Sequence, residues 1–184
     1  MTLLPERITC SPVFLRPFVL ADAPRVQLLA GNRDVAETTA LIPHPYESGM
    51  AEEWIASQTA ELASCREYTY AITRSEDALL VGAISLRPVA GEQENLGYWI
   101  GREYWGHGYA TAAARAIIAV TFRCLDCHQL TASYLERNAA SGRVLEKCGL
   151  TLVRRLRREH RGRQEEFCVR GITRDAWEAR IARD

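Results

Sequence analysis

The 184-residue sequence predicts one α+β domain on a mixed, mostly antiparallel sheet. Two observations set the antiparallel part. Alternating apolar runs come in pairs split by short polar turns, at 67–73 with 79–88 and at 150–159 with 165–173. A third observation sets the mixture. Between the pairs, a strand at 95–101, a helix to about Phe122 and a strand at 129–135 make one strand–helix–strand crossover, the connection that parallel neighbours need. The chain is long enough for one proper core and short for two, and it carries no repeat, low-complexity segment or linker, so residues 1–184 read as a single domain.

In order, "PVFLRPF" (12–18) alternates as a short strand, and Pro17 places it at an edge or end. "LADAPRVQLLAGN" follows as a helix, with Asp22 as N-cap, Pro24 in the first turn and Gly31 as the stop. "IPHPYE" (42–47) is a proline-stiffened loop. Residues 48–65 are an amphipathic helix, with Trp54, Ile55, Leu62 and Met50 expected toward the core. The hairpin 67–88 turns at "RSED". The crossover comes next, then a short helix at 138–148 stopped by Gly149. Two last strands turn near Arg161-Gly162, and "RDAWEARIA" closes as a helix.

Composition is that of an ordinary globular protein, 47% hydrophobic and 25% charged. A formal net charge of zero argues against general attraction to nucleic acid or membrane. No basic segment precedes an apolar run at the N-terminus, no window approaches a membrane span, and six cysteines are scattered without pattern. The expectation is a reduced, cytoplasmic protein.

The chemistry concentrates in "EYWGHGYATAAARAIIAV" (103–120). Gly106 and Gly108 allow left-handed backbone, and good helix formers begin directly after Tyr109. A glycine turn feeding a helix start presents free N–H groups and a positive dipole end, a seat for phosphate. A P-loop would need Gly-Lys-Ser/Thr, and no lysine is near. A dinucleotide fingerprint would need glycine where Thr111 stands, within repeated βαβ units that the chain lacks. An acetyl-coenzyme A site is the third reading.

"LGYWIGREYWGHGYATAA" closely resembles motif A of the GNAT superfamily of N-acetyltransferases, in the wording of its RimJ/RimL-like branch. "VFLRPFVLADAPRVQLLAGNRDVAE", "LIPHPYESGMAEEWIAS" and "RNAASGRVLEKCGL" resemble further segments of that branch, in order, so nearly the whole chain is covered. The first motif position holds Glu103 where the superfamily has Gln or Arg, and Glu103 is expected to point away from the phosphates.

The resemblance implies a GNAT-like sheet flanked by helices, with a splayed parallel pair in the middle. It implies acetyl-CoA as co-substrate, with no metal and no haem. The N–H groups of Trp105, Gly106, His107, Gly108, Tyr109, Ala110 and Thr111 would ring the pyrophosphate, and unpaired main chain at Trp99 and Ile100 would hold the pantetheine arm. Asn138 would contact the pantetheine amide or simply cap its helix. Leu145 stands where many relatives have a tyrosine acid, and Ser141 is the alternative at the sulfur. Glu94, with Glu92 beside it, is the candidate base. The expected acceptor is a primary amine, a protein N-terminal α-amine first and a small amine or aminoglycoside-like compound second. A homodimer stays open. A non-catalytic acyl-CoA sensor is the reading of another class, because the usual tyrosine is missing, and a nicotinamide dehydrogenase is the outside one.

Two other signals are set aside. "CLDCH" (124–128) matches a haem-attachment spacing but falls at a helix–strand turn, and as a zinc site it lacks a fourth ligand. "RRLRREHRGR" (154–163) holds six arginines. It reads either as a solvated hairpin face or as a patch for RNA, a ribosomal protein or an acidic peptide.

Overall fold

The computed structural model describes residues 4–64, 67–89 and 93–183, without the side chains of residues 59, 63, 88, 89, 93 and 94. Eight strands form one sheet: β1 (Ile8–Cys10), β2 (Val13–Arg16), β3 (Tyr68–Arg74), β4 (Leu80–Val89), β5 (Gln93–Ile100), β6 (Gln129–Leu135), β7 (Thr151–His160) and β8 (Arg163–Thr173). Their spatial order is β1-β2-β3-β4-β5-β6-β8-β7. Every neighbouring pair is antiparallel except β5 with β6, as the crossover requires. The helices are α1 (Ala23–Ala30), α2 (Arg33–Thr38), α3 (Met50–Ala63), α4 (Tyr109–Cys124), α5 (Ala139–Lys147) and α6 (Arg174–Ile181).

Several elements depart from the sequence expectation. The single strand at 12–18 is the second arm of a tight hairpin whose first arm, β1, is too short to show a period. The first helix ends where Gly31 is expected to stop it, but an unexpected helix follows at once, with Asn32 starting α2 by accepting the Asp34 N–H at 2.9 Å. Asp22 precedes α1 but caps nothing there. Its carboxylate takes both arms of Arg16, at 2.7 and 2.8 Å, and the Val19 N–H at 2.9 Å, tying β2 to the turn. On α3 the core-facing residues are Ala51 and Ile55, while Leu62 is exposed and Met50 half-buried; Cys65 lies outside the described residues.

The sheet separates two cores. On one face Ala113, Ala114, Ile117, Ile118 and Phe122 of α4 pack on Ile72, Ile84, Leu86, Leu96 and Leu130. On the other, Val26 and Leu29 of α1 and Ala51 and Ile55 of α3 pack on Ala71 and Leu80, with Trp54 and Trp99 at the margin. The Cys124–His128 segment is a structural corner: Arg174 bonds the carbonyls of Phe122 and Leu125, and Cys127 is buried with its Sγ 3.2 Å from the Gln129 carbonyl. Among the described residues, no helix is long and apolar enough to cross a membrane.

Candidate active site

The site begins where β5 runs out. A short turn leads to Gly106 (φ 83°) and Gly108 (φ 80°), both left-handed, and α4 starts at once. No side chain caps α4, and its first turn carries no acid. Its first internal bond runs from the Ala112 N–H to the Gly108 carbonyl at 3.0 Å, so the N–H groups ahead of Ala112 lie before the internal ladder. A Cβ built on Gly106 or Gly108 meets nothing within 4 Å, and both glycines, with Ala110 and Thr111, line an open cleft. The cradle is made of main chain, with the dipole of a 16-residue helix behind it. Glu103 faces away, 3.4 Å from Arg25. His107 and Tyr109 stack beside the turn, ring centroids 5.5 Å apart.

The parallel pair lasts for three rungs, Gln93–Gln129 to Asn95–Thr131, and then the strands part. From Leu96 onward β5 stays paired with β4 but presents a free edge toward β6. Gly101 donates its N–H to the Val81 carbonyl, and main-chain groups alternate sides along a strand. It follows that Trp99 spends its main-chain groups on β4, while Tyr98 and Ile100 point theirs into the gap. The expectation of free main chain at Trp99 is corrected by this parity; its indole packs at the margin of the second core instead. The Ile100 carbonyl is taken by Trp105 Nε1 at 2.7 Å, which leaves the Ile100 N–H facing the gap.

Across the gap stands α5. Asn138 caps it, accepting the Ser141 N–H at 3.1 Å, and its Nδ2 reaches the Thr38 carbonyl at 3.4 Å. Ser141 Oγ does not bond its own helix; it lies 2.7 Å from the hydroxyl of Tyr98, which also reaches the Ser141 carbonyl at 3.2 Å. Burial pushes the Tyr98 phenol well above its ordinary range, so it stays protonated. Leu145 is fully buried behind this pair. Tyr98 is the residue that sequence reading missed. Its parity on β5, one step from Trp99, was the available signal.

A cleft of about 1480 Å³ passes through the splay from one sheet face to the other. On the α4 face it meets Gly106, Gly108 and Ser141. On the α3 face it opens between Trp54, the loop around Ile42 and Phe167 of β8, over a polar floor of Thr69, Ser85 and Asn95. Glu53, Glu61 and Glu67 line this second half, and Glu67 pairs with Arg87 at 2.6 Å. Trp54 packs toward the second core as expected and with its remaining surface also forms part of the cleft wall. Glu94 sits on the parallel rung opposite Leu130, with its side chain outside the described residues; Glu92 lies outside them altogether. No cluster of three or more His, Cys, Asp or Glu among the described residues is placed to hold a metal.

Residues 13–151, which hold the uncapped helix start and the splayed parallel pair, match a family model, the acetyltransferase (GNAT) domain. The chain belongs to the GNAT acetyltransferases. It is 29% identical over 143 residues to a probable N-acetyltransferase, YjcK, of Bacillus subtilis, covering 74% of this chain and 79% of that protein. Among solved structures, it is similar in fold to RimL, a ribosomal L7/L12 α-N-protein acetyltransferase in complex with coenzyme A, with a TM-score of 0.84 at 15% identity over 93% of this chain and 99% of that one. Mycobacterium smegmatis RimJ, in complex with a CoA-disulfide, gives 0.83 at 22% over 97% and 95%. For this GNAT chain these two likenesses establish the fold, and the site must argue the rest.

Proposed function

We propose that the protein transfers the acetyl group of acetyl-CoA to the α-amine of a polypeptide N-terminus. The observation that carries this reading is the cleft through the β5/β6 splay, which joins a main-chain anion cradle on one face to an open, carboxylate-lined chamber on the other. The N–H groups of 105–111 would hold the pyrophosphate, and the free edge at Tyr98 and Ile100 would pair with the pantetheine amides as an added strand does. Acetyl-CoA supplies a thioester, whose C–S bond breaks as the amine nitrogen forms its bond to the carbonyl carbon. The Ile100 N–H faces the place where charge would develop on that carbonyl oxygen.

An α-amine has a pKa near ~8 against ~10.4 for lysine, so roughly a tenth of it is already neutral at pH 7. Little base strength is needed; Glu94 lies six residues down β5 from Ile100, so a chamber carboxylate, Glu53 or Glu61, acting through water is the proposed acceptor of its proton. At the sulfur, a thiol ionises near ~8.5, below a tyrosine that burial has pushed upward. Tyr98 and Ser141 therefore steady the departing thiolate by hydrogen bonding and do not surrender a proton to it for good. The proton that finally makes the thiol is the one the amine released. Thiol release with a panel of N-terminal peptides, lysine-blocked peptides and small amines tests the assignment, with the acetylated position read by mass spectrometry. Acetylation at peptide α-amines is the expected result. Turnover of small amines alone would overturn it, and coenzyme A binding without turnover on any acceptor would favour a sensor.

A further inference from the structure

The β7–β8 hairpin carries seven arginines against three glutamates over residues 151–173, while the rest of this neutral chain holds 16 basic and 20 acidic residues. The positive charge is therefore gathered on one sheet edge. Strand alternation then divides it. Arg155 and Arg157 turn to one face, where Glu136 and Glu166 neutralise them at 2.9 and 2.8 Å. Arg154 and Arg158 turn to the other, on either side of Leu156, which lies opposite Phe167. Arg163, opposite His160, shares that face, and the His160 ring meets Phe167 edge-on at 6.0 Å. Phe167 lines the cleft. Arg154, Arg158 and Arg163 are exposed and pair with no carboxylate among the described residues; Glu165, opposite Arg158, is engaged by Arg137 at 3.2 Å. Arg161 is also committed, to the carbonyls of Ala36 and Ile42.

We infer that this arginine face binds acidic residues of the acceptor polypeptide, a few positions after the amine that is acetylated. The inference rests on the N-terminal reading above and names the substrate class within it. From β6, which borders the gap, the sheet steps across β8 to β7. At about 4.8 Å per step, a chain leaving the gap extended reaches Arg154 and Arg158 after roughly three to five residues. Arg87 neutralises Glu67 in the chamber wall, and Glu53 and Glu61 on α3 add carboxylates that favour a cationic group there, so the mouth is bipolar: negative where the ammonium arrives, positive where the following segment leaves. An acidic peptide fits this pattern better than RNA. Glu159, Glu165 and Glu166 interrupt the arginines, and the aromatic rings of this hairpin, His160 and Phe167, are buried and offer a base no stacking platform.

The test uses matched eight-residue peptides that carry either Asp/Glu or Asn/Gln at positions 3–5, with the native protein and R154E/R158E. The expected result is a kcat/KM about tenfold higher for the acidic peptide, held in KM, because two exposed pairs contribute a factor of roughly three each. The preference should fade toward 0.5 M salt and reverse in R154E/R158E, with small-amine turnover unchanged. Equal use of both peptides by the native protein overturns the inference while leaving the N-terminal reading intact. Failure to use either peptide, with small amines turned over, overturns both. A preference that survives R154E/R158E, or that a short RNA competes away while acidic peptides do not, also sinks it. Should R154E/R158E melt early, the salt titration of the native protein decides alone.

Discussion

Two regions of the cleft are built on opposite plans. At the start of α4 the working groups are peptide amides, arranged by two left-handed glycines and left free of side-chain caps. At the acceptor mouth the working groups are side chains, brought from α3, β3, β8 and β7 by the sheet. The first plan makes one contiguous segment specific for an anion and indifferent to most side chains near it. The second plan makes specificity from charges scattered in sequence, each replaceable. Cofactor binding should therefore be brittle at the backbone, and acceptor choice should be tunable at the surface.

The largest effect is expected at Gly108. Valine there forces a β-branched residue to φ near 80°, at a cost of roughly 1–3 kcal/mol, and adds bulk to the open cleft that Gly108 lines. Calorimetry should find coenzyme A binding abolished with the fold retained. Gly162, also left-handed at φ 71° and also facing open space, is the control on the hairpin: Gly162→Val carries similar strain but should bind coenzyme A normally. Equal loss in both would break the contrast, because it would trace the effect to general strain.

Next comes Tyr98→Phe. Losing a hydrogen bond to a group that becomes charged should lower kcat by about tenfold or more, with the KM for acetyl-CoA little changed. Ser141→Ala should act on the same step and should not multiply with it, since the two hydroxyls are one bonded unit. Independent, multiplying losses would show that they serve different atoms.

How much of this was legible follows the same division. The helix start, the crossover and the Asn138 cap could be read because glycines, alanines and caps act locally in sequence. The Arg161-Gly162 turn, where both residues take positive φ, was legible for the same reason. The Tyr98–Ser141 bond was not, because it joins residues 43 apart and depends on which way β5 faces. Misjudging that parity by one residue put free main chain at Trp99 in place of Tyr98. Leu62 was missed in another way: apolar spacing on α3 marks a face, and the fold packs Trp54 and Ile55 of that face toward the core, opens part of it to the cleft and leaves Leu62 to solvent.

A smaller effect belongs to the tie between β2 and the turn before α1. Burial raises the Asp22 pKa, but the bonds from Arg16 and the Val19 N–H outweigh it, and the net shift is downward. A carboxylate depressed by folding contributes stability above its unfolded value of about 3.9, and that stability is lost as pH falls through the folded value. Asp22→Asn should cost about 2 kcal/mol at pH 7 and flatten the stability profile below pH ~4. Activity measured well below the melting temperature should not change.

The smallest expected effect is at His160, on the hairpin itself. The ring is buried, and its Nε2 has no partner. Burial and then Arg161 and Arg137 hold its pKa below the usual histidine value, with Glu165 opposing weakly. A histidine depressed in the folded state charges at lower pH than in the unfolded chain, so between the two values the unfolded chain binds more of the proton. Stability is complete above the unfolded value of about 6.5 and declines as pH falls below it. His160→Phe keeps a ring against Phe167, removes the orphaned nitrogen and abolishes that decline, so thermal melts should superimpose with the native protein at pH 8 or lie slightly higher, and separate as pH approaches 5. Because the substitution leaves Arg154, Arg158 and Arg163 in place, the preference for acidic peptides should persist at pH 8. Its loss there would mean that the hairpin reads its ligand through the histidine, and that the charged face is held less independently of the buried one than β-strand alternation implies.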